Sequence, residues 1–347
     1  MGGSLISGAG GFVGQALARH LRASGGRVAT VGLRAGAEDP RDGAATAASP
    51  VERWCRALDL ARPDVVYHLA GAMQGDEAQL LSVNLGLTEA LFAALRLTGL
   101  HPTLVVAGSA AEYGAAARDG IPVREDAACS PYTAYGRSKL AQSQAALALR
   151  EEGRSRVVVA RIFNPVGPGM PAHLALADFA AQIARMPPAG GRLTTGNLDV
   201  RRDFIHVDDL AAALAALASR GDAAGLCNVC TGVPTRLGDL LQAMIAASGK
   251  AVTISADPTR YRRHEPGVIV GDTARLRDWT GGAMQRCLRE AAVRVLSRHA
   301  EAHPGRTEDA PAPDGVAVDG PSGVRPGARP AGGAGPAGRP SPKASLQ

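Results

Sequence analysis

Leu5-Ile-Ser-Gly8-Ala-Gly-Gly11-Phe12-Val13-Gly14 opens the chain and decides how the rest folds. Leu5-Ile6-Ser7 is a short apolar run of strand character. Gln15-Ala-Leu-Ala-Arg-His-Leu-Arg22 follows the glycines with apolar residues at helical spacing. Strand, glycine turn and helix in that order form the setting a dinucleotide fingerprint needs. Gly8, Gly11 and Gly14 let the backbone approach a pyrophosphate, and the helix N-terminus offers free N–H groups and partial positive charge. Phe12 and Val13 lie in the same turn and belong to the expected cofactor cradle.

The pattern repeats outward from that turn. Arg27–Leu33 reads as a second strand and ends at Arg34, about 20 residues beyond Gly14. An acid at that point binds the ribose 2′-hydroxyl of NAD; a guanidinium suits a 2′-phosphate instead. NADP(H) is therefore the favoured cofactor, with NAD(H) the alternative. Residues 35–50, rich in Ala, Gly and Pro, show no third strand. Asp64–Gly71 is the next buried strand; its end, Leu69-Ala70-Gly71, lies below the expected cofactor. Ser82–Thr88 opens a helix in which Asn84 needs a side-chain partner to be tolerated. Thr103–Ala107, Arg156–Ile162 and Leu226–Thr231 are further strands. Strands alternating with helices predict an α/β, Rossmann-type, doubly wound parallel sheet. Ligands bind at the carboxyl ends of such strands, which is where Ser109 falls.

Length and composition set the outer bounds. The 347 residues hold 46% apolar and 20% charged side chains, usual for a globular chain. No apolar run is read as long enough to span a bilayer, and no leader precedes the first strand, so a cytoplasmic protein without membrane contact is expected. Five cysteines, an odd number spread along the chain, do not form a disulfide framework. Cys227 and Cys230 have the spacing of half a zinc site but lack a second pair, so no metal is expected. The net charge of +6 raises nucleic acid as a partner. Scattered arginines and 3% aromatic residues argue against it, and phosphate on a small ligand accounts for the bias as well. From Pro304 onward the chain holds nine prolines, nine glycines and no aromatic residue, so 304–347 is expected to be a disordered tail.

Tyr135-Gly-Arg-Ser-Lys139 carries the candidate chemistry. A Tyr and a Lys four apart share one helix face. An ammonium beside a phenol favours the phenolate and lowers the Tyr pKa from its reference of ~10, which suits proton transfer near neutral pH.

Taken together, Gly8-x-x-Gly11-x-x-Gly14, Asn84, Ser109 and Tyr135-x-x-x-Lys139 resemble the extended short-chain dehydrogenase/reductase family, over residues 4–300. The resemblance implies that Tyr135 donates and accepts the proton. Lys139 would bind the nicotinamide ribose and depress the Tyr pKa, Ser109 would hydrogen-bond the sugar oxygen, and Asn84 would support the site. Residues 1–303 would be one subunit, with cofactor binding mainly in 1–165. The smaller substrate-binding part would occupy mainly 166–303 and return a strand to the sheet at 226–231.

Within the family, four segments are similar to the reductases of GDP-4-keto-6-deoxymannose: Gly108–Gly114, Arg161–Gly169 with Asp178-Phe179-Ala180, Gly196–Asp203, and Asp257–Gly271, which carries Arg260, Arg262, Arg263 and Glu265. That resemblance implies a GDP-sugar held by Glu112, Asn164, Arg202, Arg262 and Glu265, NADPH-dependent reduction to GDP-D-rhamnose, and a homodimer. The related dehydratases carry an Asp-Glu pair where this chain has Ala110 and Ala111. Methyl groups exchange no protons, so dehydratase chemistry is excluded. A 4-epimerase with bound NAD and a non-catalytic NADP(H)-binding regulator remain as alternatives.

Overall fold

The computed structural model describes residues 3–33, 48–261, 266–282 and 286–302. Arg34, Arg262, Glu265 and the expected tail fall outside them. The first strand, β1 (Gly3–Ser7), is buried throughout and feeds the glycine turn into α1 (Phe12–Ala23). β2 (Arg27–Val31) follows. The next described element, α2 (Pro50–Ala61), was not read in the sequence. Ser-Pro-Val-Glu is its start signal. Ser49 Oγ accepts from Glu52 N, the Glu52 carboxylate accepts from Ser49 N at 2.7 Å, and Pro50 opens the first turn.

β3 (Val65–His68) leads to α3 (Glu77–Thr98). This helix begins at Glu77 rather than at Ser82, because Asp76 and Gln79 cap it reciprocally. It runs 22 residues and holds an 18-residue window of mean hydropathy 1.4, so one segment does reach membrane-spanning length, against the sequence expectation. In this fold it lies between α2 and α4 and buries Leu80, Leu91, Phe92 and Leu95.

β4 (Thr103–Ser109) ends in a 3-10 turn, Ala110–Glu112. After it come α4 (Ala134–Glu151), β5 (Val157–Ile162) and β6 (Asn164–Val166). The later chain forms α5 (Ala175–Arg185), β7 (Gly191–Thr195), β8 (Arg201–His206), α6 (Val207–Ser219) and β9 (Gly225–Val229). β10 (Pro234–Arg236), α7 (Leu237–Ser248), β11 (Val252–Ala256), β12 (Val268–Ile269), α8 (Ala274–Thr280) and α9 (Leu288–Ala302) complete it.

The central sheet has six parallel strands in the order β2-β1-β3-β4-β5-β9. Alternation of side chains sends successive residues to opposite faces. Ile6, Val105, Val158 and Ala160 pack under α1 and α6 with Leu17, Leu210 and Leu214. Leu5, Leu104, Val106 and Val159 pack under α2, α3 and α4 with Trp54, Leu58, Leu91 and Leu149. Apolar runs buried on both faces are the mark of a parallel sheet.

A third core joins α5, α7 and α9 to β7 and β8 through Leu176, Ile183, Leu193, Leu241, Met244 and Val295. Phe12 packs against both this core and the one under α1. Two small sheets, β10-β8-β12 with β6 on β8 and β11-β7, accompany it. The parallel register pairs Ser7 with His68 and Ser109 with Ile162, so the carboxyl ends of the central strands share one edge.

Candidate active site

The glycine turn is closed by sterics. Gly8 has φ +74°, and a Cβ there would sit 2.7 Å from Ala70 N. A Cβ on Gly14 would meet Gly8 O at 2.1 Å. Gly11 starts α1 and donates its N–H to Gly8 O at 2.9 Å. Leu69 N donates to Ser7 O at 3.2 Å and Ala70 N to Ser7 Oγ at 3.3 Å, which brings Leu69-Ala70-Gly71 against the turn. Val13 packs into the core below. Beside Ala9 and Gly10 lies a cavity of about 390 Å³ lined also by Gln15, Arg19, Arg22 and Thr30. Arg34, expected near this point, lies outside the described residues.

Ser109 ends β4 half-buried, with its Oγ accepting from Ala111 N at 3.2 Å. Glu112, expected to touch substrate, is fully buried instead. Its Oε1 accepts from Ser109 N at 2.7 Å and from Ser143 Oγ of α4 at 2.9 Å, while Oε2 accepts from Arg161 Nε at 2.7 Å. Both partners of the ion pair are almost wholly desolvated. The Arg161 guanidinium also stacks on the Tyr113 ring, 4.6 Å from its centroid. A carboxylate so enclosed holds the Ser109 turn and joins it to α4; it has no face left for a sugar.

Thr133 caps α4, its Oγ1 accepting from Gly136 N at 3.0 Å. That cap sets Tyr135 in the first turn, where its phenol meets the Ser109 hydroxyl. Gly136 is required at this crossing, since a Cβ would approach Ala111 O to 2.5 Å. Lys139, one turn on, is buried and donates Nζ–H to Ala107 O at 2.5 Å and to Gln142 Oε1.

The pKa expectation fails here. The Tyr135 phenol is pushed up by burial, partly offset by the Ser109 hydrogen bond, and raised further by the Glu112 charge. The Lys139 ammonium is engaged with Ala107 and Gln142, so it does not bring the phenol down. Its own pKa is lowered to about 8 by burial, against the opposing pull of Glu112.

Asn84 has the partners its helix position demanded. Fully buried, it accepts from Ala72 N at 2.8 Å and donates Nδ2–H to Ala72 O at 3.0 Å and Ser138 Oγ at 2.8 Å. It therefore pins the loop after β3 to α4. Sequence reasoning did not single out Ser138, Thr88, Gln142, His68 or Arg161. All are buried polar groups inside helix or strand runs, and that mismatch of residue type with apolar surroundings was the available signal.

The residues assigned to the nucleotide sugar are less gathered. Asn164 on β6 donates to Asp203 O at 3.0 Å. Arg202 on β8 is nearly buried and donates Nη1–H to Arg201 O at 2.8 Å and Gly267 O at 3.2 Å. Its strand is fixed by the neighbouring Asp203, whose carboxylate accepts from Thr231 N and Oγ1, Gly232 N and Gly271 N. Arg262 and Glu265 lie outside the described residues. Cys227 and Cys230 are free, buried thiols pushed up by burial, and no metal-binding cluster occurs among the described residues.

A parallel doubly wound sheet, a glycine turn and a Ser-Tyr-Lys group on one edge together define an extended short-chain dehydrogenase/reductase, and residues 4–230 match the NAD dependent epimerase/dehydratase family. The chain belongs to that family. It is 35% identical over 242 residues to the GDP-6-deoxy-D-mannose reductase of Pseudomonas aeruginosa, covering 68% of this chain and 80% of that protein. It is 32% identical over 307 residues to a dTDP-6-deoxy-L-talose 4-dehydrogenase (NAD(P)(+)) of Kitasatospora kifunensis, covering 84% and 93%. The structure of RMD from Pseudomonas aeruginosa complexed with NADPH superposes with a TM-score of 0.73 at 30% identity, covering 87% of this chain and all of the other.

Proposed function

We propose that the protein is an NADPH-dependent ketoreductase that reduces C4 of a 4-keto-6-deoxy nucleotide sugar, with GDP-4-keto-6-deoxymannose as substrate and GDP-D-rhamnose as product. The observation that supports this reading is the pairing of Ser109 with Tyr135, one helical turn before a buried Lys139 bonded to β4, at the carboxyl edge where Gly8 and Ala70 close the glycine turn. A cradle that any Cβ would fill fits a dinucleotide pyrophosphate. Gly8, Gly11, Phe12, Val13, Gly14, Leu69, Ala70 and Gly71 would hold it, with Tyr135 and Lys139 at the nicotinamide ribose and Arg34 at the 2′-phosphate. The cofactor, when bound, supplies the hydride.

The protein's own residues do the rest. Ser109 orients the substrate oxygen and Tyr135 gives it a proton. Reduction needs a protonated phenol at the outset, and burial holds Tyr135 in that form. Ala110 and Ala111 leave water elimination without an acid or base. The division into a cofactor part and a later substrate part carrying Asn164, Arg202, Arg262 and Glu265 belongs to this reading, as does a homodimer. GDP as the nucleotide is supported by similarity to the Pseudomonas reductase.

The test combines two steps. Protein is denatured and any released cofactor identified; tightly held NAD would point to the epimerase instead. Thermal shift with NADPH then compares GDP-, UDP- and dTDP-sugars. Stabilisation by the GDP-sugar above the others supports the reading, and a preference for dTDP- or UDP-sugars removes the GDP assignment.

A further inference from the structure

A line of buried polar groups runs from the glycine turn to Lys139. Ser7 Oγ lies 2.7 Å from His68 Nδ1. His68 Nε2 lies 2.9 Å from Thr88 Oγ1. Gln142 Nε2 donates to Thr88 Oγ1 at 2.9 Å, and Gln142 Oε1 accepts from the Lys139 ammonium. Ser7, His68, Thr88 and Gln142 show no exposed surface.

Counting protons fixes the direction of every bond. Thr88 has one hydroxyl hydrogen, which it donates to Asn84 O at 2.8 Å. Its lone pairs must then receive Gln142 Nε2–H and His68 Nε2–H. His68 Nδ1 is left as an acceptor for the Ser7 hydroxyl, while Ser7 accepts from Ala70 N. The imidazole is neutral, its pKa lowered to about 3 by burial with Lys139 adding to the effect. Because Gln142 spends its amide on Thr88, its carbonyl can only face Lys139. No amide flip satisfies both neighbours.

We propose that Gln142 is a positioning residue for Lys139, the last member of a buried hydrogen-bonded rod that begins at the glycine turn. The rod ties the loop that would cradle the cofactor to the ammonium that would grip its ribose. This deepens the ketoreductase reading and rests on it for the NADPH-affinity readout alone. The other groups facing Lys139 are few. Glu112 of the 3-10 turn is a carboxylate paired with Arg161 of β5. His68 of β3 is neutral, Tyr135 shares its helix, β4 presents the Ala107 carbonyl, and α3 presents uncharged Asn84 and Thr88.

The sequence makes the test unusually direct, because Lys139, Lys250 and Lys343 are its only lysines. Full-length protein labelled with 13C-lysine is titrated by NMR, and Lys250→Arg and Lys343→Arg assign the signals. Removing the acceptor in Gln142→Met should lower the Lys139 midpoint by about one pH unit, ~tenfold in proton affinity. Isosteric Gln142→Glu, with an anion beside the ammonium, should raise it. Thr88→Val, which frees the Gln142 amide, should lower it less. NADPH affinity at neutral pH, read by fluorescence, should weaken several-fold in Gln142→Met and recover in Gln142→Glu. An unchanged Lys139 midpoint in Gln142→Met overturns the proposal. If that variant does not fold, a Gln142→Glu midpoint that fails to rise overturns it too. Should the wild-type protein reduce no 4-keto sugar, the ketoreductase reading falls while the NMR titration still decides the role of Gln142.

Discussion

The two halves of the candidate site are built differently. On the cofactor side, the polar groups around Tyr135 are held by buried or half-buried partners: Ser109 by Glu112, Asn84 by Ala72 and Ser138, and Lys139 by Ala107 and Gln142. On the substrate side, Asn164 and Arg202 rest on backbone carbonyls of short strands in small sheets. Buried networks in a low dielectric fix geometry tightly, and each missing member is costly. The contrast lies in the side chains themselves: Asn84, Glu112, Ser138, Lys139 and Gln142 are tied to other side chains across α3, α4 and the turn after β4, whereas Asn164 and Arg202 donate to backbone carbonyls.

The largest break in that contrast should come from Glu112→Ala. It leaves the Arg161 charge buried without its carboxylate and frees Ser109 N, so we expect a loss of about 3–5 kcal/mol in urea unfolding. A loss under ~1 kcal/mol would mean that water reaches Arg161 and the rigid half is not rigid. Tyr135→Phe separates chemistry from packing. The rate of ketone reduction should fall about 10²–10⁴-fold with little change in melting temperature. Asn84→Ala should cost about 1–3 kcal/mol, since Ala72 and Ser138 lose their partner, and should loosen NADPH binding as well.

Lys139 sharpens the comparison through pH. Its folded pKa of about 8 lies below the ordinary 10.5, so the folded state binds fewer protons than the unfolded one between these values. Stability from this group therefore rises with pH across that window. NADPH affinity should run the other way, falling above pH about 8 as the ammonium is lost. A binding profile flat from pH 7 to about 10 would remove Lys139 from the cofactor site. The smallest effect belongs to the substrate half. Arg202→Ala should raise the KM for the sugar several-fold with kcat nearly kept, because the diphosphate contact proposed for it would act alike in ground and transition states.

Legibility followed the same divide. The glycine turn, the alternating strands and Tyr135-x-x-x-Lys139 were readable because each signal is local: a turn, a period, a helical spacing. The partner that Asn84 required was foreseen as a need, though Ser138 lies 54 residues away and could not be named. Glu112 was misread because its pairing with Arg161 joins the turn after β4 to β5, residues 49 apart, which no local pattern shows. The raised Tyr135 pKa escaped for the same reason: burial and the Glu112 charge arise only once β4, β5 and α4 meet. The missed α2 was legible in Ser49-Pro50-Val51-Glu52, a capping box with proline at the first turn.

The most direct test follows a labelled hydride. Full-length protein is incubated with GDP-4-keto-6-deoxymannose and NADPH deuterated at the transferring position, and the product sugar is read by mass spectrometry and NMR. The account predicts a single deuterium on C4 of the sugar, absent in the same incubation with Tyr135→Phe. Sugar recovered without deuterium, from wild-type protein that binds NADPH, would contradict it.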